Sequence, residues 1–292
     1  MPTGHAFAEA LVNGLLLGGL FAVTALGLSL VFGVMRLINV VHGELLVLGA
    51  YLSWLLLRHT GIDPLLGILV VAPAMFLVGL PIQRVLLNPL MSSGAEAPLL
   101  TTFGLSIIGQ NLFLLFWSAD TRSLQASYGT ASAHVLGLDV PVIYAISFAF
   151  AVALTTGTQV FIRQTSLGRQ IRASAEDPAA AEVLGVDVGR VYTFTYGLGA
   201  AFAGIGGILV GLAFSFTPST GTPYLLTGFA VVVLGGLGSL RGTLFGGLIL
   251  GVVESVGASF PQVGDGYRDF IGLVTFLVIL AIRPRGLFGR VD

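Results

Sequence analysis

The chain has 292 residues, 55% of them hydrophobic and 9% charged, with a mean hydropathy of +0.96. An average soluble domain is about 25% charged, so these residues cannot clothe a water-facing globule. The net charge of −1 says nothing about nucleic acid, and no basic patch is present to bind it. The absence of cysteine excludes disulfides and thiolate chemistry, and all 13 basic residues are arginine, which excludes a Walker A lysine and a lysine Schiff base.

Residues 1–9 lack the basic residues of a signal peptide, and the uncharged run Ala10–Met35 outlasts an apolar signal core. It is read as the first span, at 10–34. Further spans are expected at 38–57, 64–86, 98–118, 140–162, 191–214, 224–240, 242–260 and 268–282, since about 18–20 apolar residues cross ~30 Å of hydrocarbon as a helix. Glycine-rich stretches such as Gly235–Gly247 read equally as a break or a loop, so the count stays at eight to ten. The fold class is an all-α polytopic transmembrane bundle with broken helices, one membrane domain over 1–292.

Arginine sets the orientation. With the N-terminus outside and the C-terminus inside, the inner loops hold Arg36, Arg84, Arg163, Arg169, Arg172, Arg190, Arg241, Arg283, Arg285 and Arg290, and the outer loops only Arg58, Arg122 and Arg268. Ten against three is the positive-inside bias. The pairs Gly14/Gly18, Gly207/Gly211, Gly242/Gly246 and Gly247/Gly251 have small-xxx-small spacing, which lets helix backbones approach closely in lipid.

Polar residues inside spans are few. Asn39, His42 and Glu44 fall at the inner end of the second span, and a carboxylate in hydrocarbon is functional by default. Two readings stand: Glu44 lines a substrate path, or Gly43 breaks the helix and Glu44 caps the dipole of its second half. His42 reads as a packing histidine, and His42 with Glu44 does not fill a metal shell. Gln110 and Asn111 are expected to bond neighbouring helices. Glu254 is a second membrane carboxylate; its basic candidate, Arg241, is thirteen residues away, about 20 Å of helix. The uncharged loops Phe214–Tyr224 and Pro261–Gly264 are turns or docking points.

The substantial inner loop is 163–190. Asp177 suits an N-cap, Pro178 the first helical position and Gly185 a C-cap. They predict a helix of about two turns with Ala180 and Leu184 on one face. That face is small and alanine-rich, which fits a socket on a protein partner better than a lipid surface.

Here the sequence resembles branched-chain amino-acid ABC transporter permeases. Arg169–Val186 looks like the cytoplasmic coupling loop of that family, Ile38-Asn39-Val40-Val41-His42-Gly43-Glu44 matches its Ile-Asn-x-x-His-Gly-Glu pattern, and Leu234-Gly235-Gly236-Leu237-Gly238-Ser239-Leu240 is a third matching patch. The missing lysines depart from the family, as does Pro178, which implies a shorter start to the coupling helix. The resemblance implies a bacterial inner-membrane subunit with no catalytic site, cofactor or metal. It implies cytoplasmic ATP-binding subunits docked on Arg169, Arg172, Glu176, Asp177, Ala180, Leu184 and Gly185. It also implies a second permease subunit (a copy or a paralogue) and an extracytoplasmic substrate-binding protein. The alternative is an ion-coupled secondary carrier with Glu44 and Glu254 as ion sites, for which a docking helix on the inner face has no use.

Overall fold

The computed structural model describes residues 4–135, 137–260, 265–283 and 286–288. In chain order the elements are α1 (Gly4–Met35), α2 (His42–Thr60), α3 (Pro64–Pro81), α4 (Glu96–Trp117), β1 (Ser132–Val135), β2 (Leu138–Pro141), α5 (Val142–Gln164), α6 (Ser166–Glu176), α7 (Pro178–Val183), α8 (Val188–Ala213), α9 (Gly221–Gly235), α10 (Leu240–Ala258) and α11 (Arg268–Ile282). The nine expected spans correspond in order to α1–α5 and α8–α11. Among the described residues six helices are long and apolar enough to cross a membrane: α1, α3 with its extension to Leu90, α4, α5, α8 and α10. The helix α2 carries Glu44 in its first turn and Arg58 and His59 in its last, which dilutes its apolar run. At 15 residues each, α9 and α11 reach only about 22 Å at 1.5 Å per residue.

Local chemistry explains several boundaries. Asp63 caps α3, its Oδ1 accepting from Leu65 N at 2.9 Å, and Pro64 fills the first position, where a missing N–H costs nothing. Pro81 cannot donate to the preceding turn, and beyond it α3 widens into a π-helical stretch over Ile82–Leu87. Thr165 caps α6, accepting from Gly168 N at 2.9 Å.

The helices α1 and α8 are apolar almost all round and form the buried centre, the expected place for such helices. Their neighbours approach through glycine. Gly14 and Gly18 of α1 interlock antiparallel with Gly251 and Gly247 of α10, so that a Cβ on Gly18 would fall 2.5 Å from the Gly247 carbonyl oxygen. Two predicted motifs thus close on each other. The Gly235–Gly238 patch is a tight turn between the antiparallel helices α9 and α10, not a break within one: Gly236 and Gly238 have φ of 100° and 77°, values that a side chain would strain.

One end of the bundle carries the β1–β2 hairpin and the other carries α7. At the hairpin end Arg122 is tied into the structure. It exchanges two backbone hydrogen bonds with Phe216 at 2.9 and 2.8 Å, and its guanidinium lies 4.0 Å over the Trp54 ring. Tyr51 stacks on Trp117 at 4.4 Å and meets Phe216 edge-on. The loop after α8 is therefore packed rather than a free turn. Tyr128 donates to Asp63 Oδ1 at 2.7 Å, and burial and that carboxylate together push the Tyr128 phenol above its ordinary range. Pro261–Gly264, Arg285 and Arg290 lie outside the described residues, as does the side chain of Arg268.

Candidate functional site

Residues 36–41 carry non-helical backbone into the interior of the bundle. Arg36 ends α1 in a left-handed conformation (φ 51°), and the chain then turns back along the helix it has left. His42 marks how far. Its Nε2 donates to the Thr24 carbonyl at 2.8 Å, a residue eleven positions before the end of α1 at Met35, or about 16 Å of helix. Bare backbone is tolerated at that depth only when protein satisfies it. The Thr102 hydroxyl of α4 accepts from Val40 N at 3.3 Å and lies 3.0 Å from the Leu99 carbonyl. His42 N donates to the Asn39 carbonyl at 3.4 Å, and Tyr196 of α8 donates to Asn39 Oδ1 at 3.3 Å. Asn39, His42 and Glu44 are all buried.

The expected break at Gly43 is corrected by this arrangement. No helix precedes it over residues 38–41; α2 begins at His42, so the second span starts inside the bundle rather than at 38. Gly43 is required for contact instead. Any Cβ on it would run into the backbone of Gly221, the first residue of α9. Glu44 sits in the first turn of α2, where the helix dipole favours its charge. It is 4% exposed, hydrogen-bonds with Ser106 of α4 and rests its stem on Gly109. Its Oε2 has no hydrogen-bond partner among the described residues.

Glu254 belongs to a neighbouring place. It is also 4% exposed and lies against Gly272 of α11. Arg241 is engaged elsewhere: its Nε donates to Gln159 Oε1 of α5 at 2.7 Å. The two carboxylate sites are joined by the first turn of α9, where Gly221 touches Gly43 and Thr222 lines the cavity that holds Glu254.

At the other end, Asp177 Oδ1 accepts from Ala180 N at 3.0 Å, as its N-cap reading required. Gly185, with φ 84°, closes α7: Gly185 N bonds Glu182 O and Val186 N bonds Ala181 O. Ala180 is exposed, and Val183 and Leu184 are 88% and 81% exposed. Val183 was not anticipated, because helical spacing alone does not say which flank of a two-turn helix the bundle takes. That flank is Ala181, which is buried. The helix α6 was also unforeseen. It folds against the end of α5, with Arg172 Nη1 donating to Ile162 O at 2.9 Å and Ile171 buried, while Arg169, Glu176 and Asp177 are exposed.

Thr102, Ser106, Tyr196 and Gly221 are site residues that sequence reasoning missed. Thr102 and Ser106 stand one turn apart on α4, with Gly109 beyond, a polar and small stripe that was legible. The more polar Gln110 and Asn111 dominate the sequence pattern instead. Asn111 bonds the Ile107 carbonyl of its own helix at 2.8 Å, and among the described residues no bond to a neighbouring helix is seen for it. No group of three or more potential metal ligands occurs among the described residues.

Comparison with known proteins covers nearly the whole chain. A family described as the permease component of branched-chain amino acid transport systems matches residues 10–282. The chain is 31% identical to the high-affinity branched-chain amino acid transport system permease protein BraD of Pseudomonas aeruginosa, over 99% of this chain and 98% of that one. It is 31% identical to LivH of Escherichia coli, over 97% and 96%. The ribose import permease RbsC of Bacillus subtilis is 28% identical, over 67% of this chain and 62% of its own. No solved structure matches.

Proposed function

The chain belongs to the family of permease components of branched-chain amino acid transport systems, and from that membership we propose that it is the membrane subunit of an ATP-driven importer of branched-chain amino acids. Near-full-length similarity to two high-affinity permeases carries the reading. In it, the N-terminus and the β-hairpin face outward and α7 faces the cytoplasm of a bacterial inner membrane. Separate ATP-binding subunits seat on Ala180, Val183 and Leu184, a second permease subunit completes the path, and a binding protein delivers substrate at the hairpin end.

The mechanism follows from how the parts are tied. The helix α7 continues through Gly185 into the buried helix α8, so force applied at α7 reaches the centre of the bundle. Tyr196 of α8 holds Asn39 of the re-entrant segment, and that segment leads into Glu44 and onto α9. A rocking of α8 therefore moves the inner end of α2 and the first turn of α9 together. The alternative, an ion-coupled carrier, is not favoured by the relatives. In proteoliposomes containing the whole complex, leucine uptake is expected to require ATP inside and to survive collapse of the proton gradient. Uptake that follows the gradient and ignores ATP overturns the importer reading.

A further inference from the structure

Beside the first turn of α9, against α10 and α11, lies a cavity of about 190 Å³ lined by Thr222, Leu226, Leu250, Glu254, Gly272 and Leu273 among others. It exceeds the ~15 Å³ that a single water needs and falls short of the ~300 Å³ at which drug-sized pockets begin. That is the size class of a small solute. The mouth opens on the flank of the bundle, where Thr222 and Leu226 are exposed. Its walls are aliphatic apart from Thr222, Thr227 and a carboxylate, Glu254, that is 4% exposed.

We propose that this cavity is a subsite for the amino acid in transit, with Glu254 as the counter-charge of its α-ammonium group; the proposal rests on the permease reading above. The chemistry is complementary at three points. A branched aliphatic amino acid has one cation, one anion and one apolar branch. Glu254 meets the cation. The positive end of the α9 dipole favours the anion together with the Thr222 hydroxyl. Leu226, Leu250 and Leu273 face the branch. A carboxylate in such a wall is costly and marks a functional place by default. Glu254 already has an interaction within the chain, and a carboxylate has about four acceptor positions, so an ammonium group still finds acceptors. Gly272 keeps the approach clear, because a Cβ there would fall inside the van der Waals radius of Glu254 Oε1. An ammonium withdrawn from water needs such a partner, and none of the aliphatic walls supplies one.

The chain contains no cysteine, so Thr227→Cys places a single thiol of this subunit in the cavity wall. In the assembled complex, a trimethylammonium methanethiosulfonate reagent is expected to label it about tenfold faster than the sulfonate reagent, the lower end of what a charged cleft does to local counter-ion concentration. Glu254→Gln, inserted and assembled, removes that preference, and Glu254→Asp keeps part of it. L-leucine slows the cationic reagent; 4-methylpentanoate, the same branch without the amine, does not. Equal rates for the two reagents overturn the proposal. So does a failure of L-leucine to protect, or equal protection by 4-methylpentanoate or by sodium chloride at constant ionic strength. In each of those cases ATP-driven leucine uptake by the complex leaves the permease reading standing. Absence of that uptake in the wild-type complex overturns the permease reading itself.

Discussion

Glu44 shows how much one residue is asked to do inside this bundle. Its charge is favoured by the start of α2 and one oxygen is bonded to Ser106, while Oε2 has no hydrogen-bond partner among the described residues. An unbonded buried oxygen costs about 1–3 kcal/mol, and a dipole cap needs only one bonded oxygen. Glu44→Gln is therefore expected to lower the uptake rate about tenfold, with insertion and the detergent melting temperature nearly unchanged, since a helix-terminus charge contributes only about 0.3–1 kcal/mol. Uptake at the wild-type rate would reduce Glu44 to a cap. The neighbouring histidine is simpler. His42 donates to Thr24 and fixes the depth at which α2 begins, which is a structural task.

At the scale of elements, α7 is a six-residue helix and would be marginal alone. It is held by the Asp177 cap, the Gly185 turn and the buried Ala181, which leaves Ala180, Val183 and Leu184 outward. Ala180→Arg would put a long cation where a methyl is proposed to seat in a groove, and overpacking with an unpaired charge costs several kcal/mol. At about 1.4 kcal/mol per tenfold, most of the ATP-binding subunit should be lost from the purified permease. Glu176→Gln, at an exposed rim, should cost no more than about 1 kcal/mol. Both are read as ATP-binding subunit retained on tagged permease, with membrane insertion measured separately. Equal retention for wild type and Ala180→Arg removes α7 as the coupling surface. The exposed face of α7 is one question and its fold another; because Ala180 is exposed, the substitution addresses the first.

Across the whole molecule, the two ends of the bundle differ in kind. The hairpin end is tied by Arg122–Phe216 and Tyr128–Asp63, while the α7 end has an exposed helix and arginines such as Arg84, Arg163, Arg169, Arg172 and Arg190. Positive charge stays on the side of synthesis, and on that bias we propose that the hairpin faces outside. With no cysteine in the chain, Ala133→Cys on β1 and Leu184→Cys after α7 test this in intact cells. A membrane-impermeant maleimide is expected to label the first and not the second. Labelling at Leu184→Cys alone inverts the proposed orientation. The antiparallel glycine seam between α1 and α10 is present within one subunit, so this part of the bundle does not wait for a partner to form.

Hydropathy by itself determined the membrane class, the order of nine helical segments and most of their ends, because a helix must satisfy its own backbone in lipid and needs a run of apolar residues of known length. Capping chemistry is equally local, so Asp177, Pro178 and Gly185 could be read as a helix before any neighbour was known. Gly14/Gly18 and Gly247/Gly251 were legible as contact motifs, but not as partners of each other, since spacing names a face and not what lies opposite. The tertiary structure alone decided that residues 36–41 are not helical. Their satisfaction comes from Thr102 on α4 and Tyr196 on α8, 62 and 157 positions away from the residues they bond. It decided too that Glu44 and Glu254 adjoin one turn of α9. A polar residue in a span announces that it must be satisfied; which distant helix satisfies it depends on packing that no local window contains.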